Sequence, residues 1–175
     1  PALVGMLGCA FGASALGLFD VDLSEMQPDF YTSSSHKWPC GPKEVGVLYV
    51  NARAQSSIHP SIISAYPGAI GISRTLEAMG QRDEPAIIGF GESLNFQVKI
   101  GRKAIEARSR SLAQALMAGL RKIDGVHLWT HPDRERSGAV VTFRPGNLNI
   151  PKLSDALYKN DRIGCATRTG SDRPG

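Results

Sequence analysis

Short apolar runs separated by turn residues alternate with longer stretches of helical periodicity along this chain. Their length and their glycine, proline and polar boundaries are typical of β-strands. The predicted strands are Leu3–Ala10, Asp29–Ser33, Val45–Val50, Val126–Thr130, Ala139–Phe143 and Arg162–Ala166. Because helical patterns lie between these runs in both halves of the chain, a mixed α/β fold is predicted.

Three helices are predicted from apolar residues that recur at roughly helical spacing. They cover Glu84–Val98, Arg102–Ile123 and a shorter segment around Ser154–Lys159. Asp83 is a good N-cap for the first helix, and Gly101 separates it from the second. In the first helix the apolar positions are Ile87, Ile88, Gly91, Leu94 and Val98, and in the second they are Ile105, Leu112, Leu116, Leu120 and Ile123.

The organisation of the chain changes at the second predicted helix. Before it, strands alternate with glycine-rich loops, and after it the order is strand, strand, helix, strand. We therefore expect residues 1–98 to form part of a larger α/β layer. Residues 99–175 are then a connecting long helix and part of a smaller α/β domain.

The composition is that of a globular protein, with 42% hydrophobic and 21% charged residues. This composition excludes a mainly disordered chain. The cysteines Cys9, Cys40 and Cys165 are odd in number and widely spaced, which excludes a disulfide scaffold and favours a reducing compartment. We therefore expect a cytoplasmic protein. The sequence contains no CxxC motif or Cys/His cluster, so no zinc site is expected.

Charge and hydropathy disfavour two further classes of partner. The net charge of +4 comes from basic residues spread along the chain, without an aromatic platform or a known motif, so no nucleic-acid partner is expected. Residues 1–19 are uncharged, but their glycines, Ser14 and the lack of a basic flank make them a poor membrane span and a poor signal peptide. A buried strand followed by a glycine-containing turn, with no membrane partner, fits this segment better.

The stretch from Asp29 to Trp38 carries the most informative chemistry. A predicted strand runs into a hydroxyl-rich turn with a His36-Lys37 pair. Hydroxyls and an imidazole at a strand end can hold a phosphate. A lysine beside them, shielded by Trp38, can act as an amine nucleophile toward an aldehyde. Together these properties describe a pyridoxal 5'-phosphate (PLP) site, although a His-Lys pair taken alone is more often a plain surface feature.

The motifs around this turn resemble those of the class V aminotransferase family of fold-type I PLP enzymes. Ser34-x-His36-Lys37 is followed by Gly41-Pro42 and the strand Gly46–Val50, as in that family. Gly80–Asp83 is similar to the family's Gly-Thr-Arg-Asp segment before a helix. The family includes cysteine desulfurases and isopenicillin N epimerase. The resemblance covers nearly the whole chain but only the second half of a typical member, and it implies the C-terminal part of a PLP-transferase-type large domain plus part of a small α/β domain.

The resemblance also implies roles for individual residues. Lys37 would form the Schiff base with PLP and act as the catalytic residue. His36 and Ser34 would bind the cofactor phosphate. Gly80 and Gln81 would reach the phosphate of a neighbouring subunit, which implies a homodimer with shared active sites.

Two departures from the family pattern concern the cofactor ring and the substrate. Phe11 stands where the family has an aspartate that pairs with the pyridine nitrogen, and Ser14 stands where a Gln or His contacts the 3-hydroxyl. The arginine that binds the substrate carboxylate would follow Gly175. Without the aspartate the nitrogen is harder to keep protonated.

The resemblance implies an enzyme of the PLP-dependent transferase, lyase and isomerase superfamily that acts on a small amino-acid substrate. An epimerase-like, lyase or aminotransferase reaction is expected ahead of a desulfurase. The reason is that Ser171–Arg173 lacks the thiol that desulfurases carry after the corresponding segment. The alternative is a cofactor-free, non-catalytic family-like protein or fragment, which Phe11 favours. Substrate and reaction type stay open at this point.

Overall fold

The structure, a computed structural model, describes residues 8–63, 71–77 and 80–168, and for residues 9–11 it describes the backbone alone. By its internal contacts the chain divides into two compact units, Pro1–Ser109 and Arg110–Gly175. The boundary predicted at residue 98 concerns the domains of a longer protein and stays a prediction. The alternation of helices and strands is the predicted mixed α/β arrangement.

The first unit contains a three-stranded sheet in the order β1-β2-β3. Strand β1 (Cys9–Phe11) is parallel to β2 (Phe30–Ser34), and β2 is antiparallel to β3 (Gly46–Val50). The predicted strands at β2 and β3 are therefore confirmed to within one residue. Most of the predicted strand Leu3–Ala10 lies outside the described residues.

The first unit also contains helices, which follow the strands along the chain or lie between them. Its short helices are α1 (Leu23–Met26) and α2 (Ser73–Leu76), and a 3₁₀ turn covers Ala52–Ser57. The two long helices are α3 (Glu84–Ile100) and α4 (Arg102–Leu120), and α4 ends in the second unit.

A buried carboxylate fixes the start of β2. Asp29 accepts hydrogen bonds from Arg53 Nε at 2.5 Å and from the Gly8 N–H at 2.7 Å. Arg53 also donates from Nη2 to the Gln27 carbonyl oxygen at 2.7 Å. The Arg53 guanidinium, followed by the Gly8 N–H, holds the pKa of Asp29 below its ordinary value. These bonds tie the segment before β1 to the segment before β2 and so favour their parallel pairing.

Helix α3 is confirmed, but its predicted apolar stripe is not the face that packs. The buried residues are Phe90 and Gln97, whereas Ile88 and Val98 are exposed. The apolar spacing predicted that a helix forms here but did not indicate which side of it packs, because periodicity counts only apolar residues. Gln97 is buried because its amide meets a backbone carbonyl, that of Trp38.

The second unit contains the end of α4, a two-stranded sheet and a last helix. Strand β4 (Val126–Leu128) is antiparallel to β5 (Phe143–Pro145), and α5 covers Ile150–Asp161. A 3₁₀ turn, Arg134–Arg136, lies between the strands. Among the described residues of this unit, Ala113 and Met117 of α4 are the buried apolar side chains.

Two predicted strands in the second unit were wrong. A strand was predicted over Ala139–Phe143, but β5 begins only at Phe143. The Thr142 N–H donates to the Thr130 hydroxyl at 2.7 Å instead of to a backbone carbonyl of the neighbouring strand. At Arg162–Ala166 the backbone of Arg162 turns left-handed, with φ of 58°, and ends α5 by donating to the Tyr158 carbonyl.

Within the described ranges, no helix is long and apolar enough to cross a membrane.

Candidate functional site

The carboxyl ends of β1 and β2 lie at the same edge of the sheet because the two strands are parallel. The pairing continues one residue further, since the Gly12 N–H donates to the Thr32 carbonyl at 2.9 Å. The Ser33 hydroxyl donates to the Gly12 carbonyl at 2.8 Å. The loop after β1 and the turn after β2 therefore start side by side. In open α/β sheets, ligands bind outside this edge.

A buried tyrosine lies against the loop that leaves this edge of the sheet at Gly12. Tyr31 of β2 is 2% exposed, and burial raises the pKa of its phenol. A Cβ atom on Gly12 would overlap the ring of Tyr31. Only glycine therefore allows the loop after β1 to leave the sheet this close to β2.

The turn after β2 is closed by its own hydrogen bonds. This segment, Ser35–Pro42, is called the Lys37 turn. Ser35 is fully buried, and its hydroxyl donates to the Pro42 carbonyl. The Gly41 N–H donates to the Ser35 carbonyl at 2.9 Å, and the Cys40 N–H donates to the Lys37 carbonyl at 3.0 Å. The backbone of the turn is thus held at both ends.

The side chains proposed for chemistry take no part in these bonds. His36 and Lys37 are exposed, and Ser34 and Trp38 are half-buried. Among the described residues, no hydrogen bond or ion pair engages the side chains of Ser34, His36 or Lys37. A hydroxyl at the end of β2, with an imidazole and an amine on the turn that follows, is a donor set that fits a phosphate beside an aldehyde.

Two distant segments hold the middle of the Lys37 turn from outside. A Cβ atom on Gly17, whose φ is 80°, would lie 2.5 Å from Pro39 N and 2.7 Å from the Trp38 carbonyl carbon. Gln97 of α3 donates from Nε2 to the Trp38 carbonyl oxygen at 2.7 Å. Pro39 is fully buried. The loop after β1 and helix α3 therefore both contact the Trp38–Pro39 peptide, one residue after Lys37.

Helix α3 also packs against the end of the turn. A Cβ atom on Gly41 would lie 3.0 Å from Phe90 Cδ2 and 3.1 Å from Ser93 Oγ. A Cβ atom on Gly89 would lie 3.2 Å from Pro42 Cγ. Such close approach explains the glycine-proline pair after the His-Lys pair.

The other predicted site residues are placed as follows. Ser14 is exposed in the loop after β1, at the same sheet edge as the Lys37 turn. Phe11 ends β1 opposite Thr32, and its side chain lies outside the described side chains. Gly80 and Gln81 precede α3, and within the described parts of the chain no hydrogen bond joins them to the Lys37 turn. Their roles stay predictions.

Sequence reasoning missed the residues that support the turn, which are Gly17, Ser35 and Gln97. One signal was present for Gln97, because it lies seven positions after Phe90 and so shares its helix face. For Gly17 and Ser35 no periodic signal exists.

A family model described as aminotransferase class-V matches residues 3–172. Isopenicillin N epimerase from Streptomyces clavuligerus is 33% identical over 171 residues, which cover 89% of this chain and 43% of that protein. Probable cysteine desulfurase 2 from Mycobacterium leprae is 30% identical over 158 residues, which cover 86% of this chain and 37% of that protein. The chain thus spans less than half the length of these relatives.

Solved structures show the same fold. The apo cysteine desulfurase from Thermococcus onnurineus NA1 superimposes with a TM-score of 0.76 at 22% identity, covering 86% of this chain and 40% of that one. A C-DES mutant with glycine covalently linked to its PLP cofactor gives a TM-score of 0.75 at 20% identity, and the match covers 90% of this chain and 43% of that one. The predicted PLP-transferase-type fold is therefore confirmed.

Proposed function

This chain belongs to the class-V aminotransferase family, and we propose that it forms the lysine-bearing part of a PLP-dependent enzyme acting on a small amino-acid substrate. The observation that carries the proposal is the Lys37 turn. Exposed Lys37 and His36 and half-buried Ser34 lie on a backbone held from both sides, at the ligand-binding edge of a parallel strand pair.

Each of these residues has a distinct task in the proposal. Lys37 Nζ would hold the cofactor through its aldehyde and would move a proton at the substrate α-carbon. Ser34 Oγ and the His36 imidazole donate to the phosphate. Ser14, in the loop after β1, would contact the cofactor ring. Bound PLP supplies an electron sink for negative charge at the α-carbon.

The proposal includes a homodimer with shared sites. Gly80 and Gln81 lie before α3, and the positive φ of Gly80, 90°, turns the chain sharply there. The Gln81 amide is exposed and can donate to a phosphate held by a second copy. The likeness of Gly80–Asp83 to the family's Gly-Thr-Arg-Asp segment supports this contact, and the exposure of Gln81 leaves its amide accessible to a second copy.

For the reaction itself, we favour an epimerase-like, lyase or aminotransferase activity over desulfuration. The 33% identity with an isopenicillin N epimerase supports this order. The absence of a cysteine in Ser171–Arg173 also supports it. Incubating the complete, PLP-loaded protein with amino acids and measuring inversion, keto-acid formation and sulfide release would separate these activities.

The proposal is tested first by adding PLP to the complete protein and following its absorption in the near-ultraviolet and blue. A saturable new band is expected. A chain that gives no band would favour the cofactor-free alternative, which the enzyme relatives do not support.

We expect alanine at Ser34 or His36 to weaken PLP binding about tenfold or more, because each charge-assisted bond to phosphate contributes about 1.5–3 kcal/mol. PLP titration followed by absorbance measures the affinity. Ser56→Ala and His59→Ala are matched controls, since both residues are exposed and lie outside the turn. Unchanged affinity in both site variants would place the phosphate elsewhere.

We expect Phe11→Asp to raise α-proton exchange of a bound amino acid with deuterated water by about an order of magnitude or more. A carboxylate near the pyridine nitrogen favours its protonated form, which phenylalanine cannot do. NMR of the substrate measures the exchange. Phe11→Asn is the control, because it changes size and polarity without adding charge. No gain in a Phe11→Asp protein that folds and binds PLP would show that position 11 does not face the ring. The role given to Ser14 rests on the same aligned segment and would then be withdrawn.

A further inference from the structure

Gln97 is a buried polar residue on the packed face of α3. It is 8% exposed, and its Nε2 donates to the Trp38 carbonyl oxygen at 2.7 Å across a sequence separation of 59 residues. Buried polar groups are retained in proteins where they find a hydrogen-bond partner. Here the partner is not within α3 but in the Lys37 turn.

The bond restrains the backbone next to Lys37. The Lys37 carbonyl accepts the Cys40 N–H, and the Trp38 carbonyl accepts the Gln97 amide. The Cys40 thiol lies 3.5 Å from the same Trp38 oxygen, and a thiol is a weak donor. Hydrogen bonds therefore hold the peptide planes on both sides of the Trp38 α-carbon. For the second plane, which the Gly17 loop also contacts, the stronger hydrogen bond comes from Gln97.

We propose that Gln97 is a positioning residue for the lysine: its buried amide holds the Trp38 carbonyl and so fixes the backbone from which Lys37 reaches the cofactor. The part that concerns the cofactor rests on the proposed function. The part that concerns the backbone rests on the hydrogen bond and the burial alone. Gln97 itself need not touch PLP or substrate.

Three variants of the complete protein test this role. Gln97→Met keeps the length of the side chain but removes its N–H donors. Gln97→His serves as the rescue variant, because the Nε2 atom of histidine can carry an N–H donor and is as many bonds from Cβ as the Nε2 atom of glutamine. Asn95→Met is the matched control, because Asn95 lies on the exposed side of the same helix.

The first measurement is amide hydrogen exchange of the Lys37 turn without PLP. Exchange at the Cys40 and Gly41 N–H groups should become about tenfold faster in Gln97→Met. The reason is that opening of the turn no longer requires the hydrogen bond from Gln97 to the Trp38 carbonyl to break. Asn95→Met should exchange like the unmodified protein, and Gln97→His should fall within about threefold of it. Equal exchange in Gln97→Met and Asn95→Met would overturn the positioning role.

The second measurement is PLP binding in the same variants. Gln97→Met should raise the Kd for PLP about tenfold and change the visible circular dichroism of the bound cofactor, since the turn must be ordered on binding. A lower unfolding temperature with unchanged Kd and dichroism would mean that Gln97 acts on stability alone, and it would overturn the proposal. If the unmodified protein binds no PLP, the proposed function fails, while hydrogen exchange still decides whether Gln97 holds the turn.

Discussion

Alanine at Lys37 should abolish covalent attachment of PLP and lower turnover by about 10²–10⁴-fold or more, the range contributed by a positioned proton-transfer group. Lys37 is exposed on a turn whose backbone is held by hydrogen bonds, so its amine is free to reach a bound aldehyde. Borohydride reduction followed by peptide mapping should label Lys37 in the unmodified protein. The same treatment of Lys37→Ala should label no residue of the turn.

Lys43→Ala is the matched control for this prediction. Lys43 is an exposed lysine that follows the Lys37 turn, so its removal should leave labelling and turnover unchanged. Borohydride label on Lys43 or Lys99 in the unmodified protein would contradict the assignment of Lys37.

Alanine at Gly17 should destabilise the protein by about 2–5 kcal/mol. The φ of 80° costs an L-residue about 1–2 kcal/mol, and forcing a methyl group into a filled space costs about 1–3 kcal/mol more. The methyl group would lie 2.5 Å from Pro39 N, and a buried backbone atom cannot move aside as a flexible side chain can. Chemical denaturation of the complete protein measures the loss, and PLP affinity should fall with it because the Lys37 turn is displaced.

Gly119→Ala is the control for the Gly17 variant. Gly119 lies in α4, and a Cβ atom there would meet nothing within 4 Å. The control should be neutral or stabilising by up to about 1 kcal/mol, because alanine favours the helix. A Gly17→Ala protein as stable as Gly119→Ala would show that the loop after β1 does not press against the Trp38–Pro39 peptide.

Local sequence was sufficient for the start of α3 and for the break between α3 and α4, whereas the second helix was predicted to reach Ile123 and α4 ends at Leu120. Asp83 was predicted as the N-cap of α3, and its Oδ1 accepts the Ala86 N–H at 3.1 Å. Gly101 was predicted to separate the long helices, and its φ of 95° does so. Capping and left-handed turns act within one helical turn, so a sequence pattern reports them without knowledge of the rest of the fold.

The sequence by itself also determined the family, because the motif from Asp29 to Val50 is contiguous and carries its own strand, turn and strand. Only the tertiary structure decided which side of α3 packs, where β5 begins and what holds the Lys37 turn. Gly17 and Gln97 meet the Trp38–Pro39 peptide from separate segments, and Gln97 is 59 residues from Trp38. Spacing within α3 can place Gln97 on the face of Phe90, but it cannot name the partner, because a buried amide is stable only where the folded chain brings a carbonyl to it.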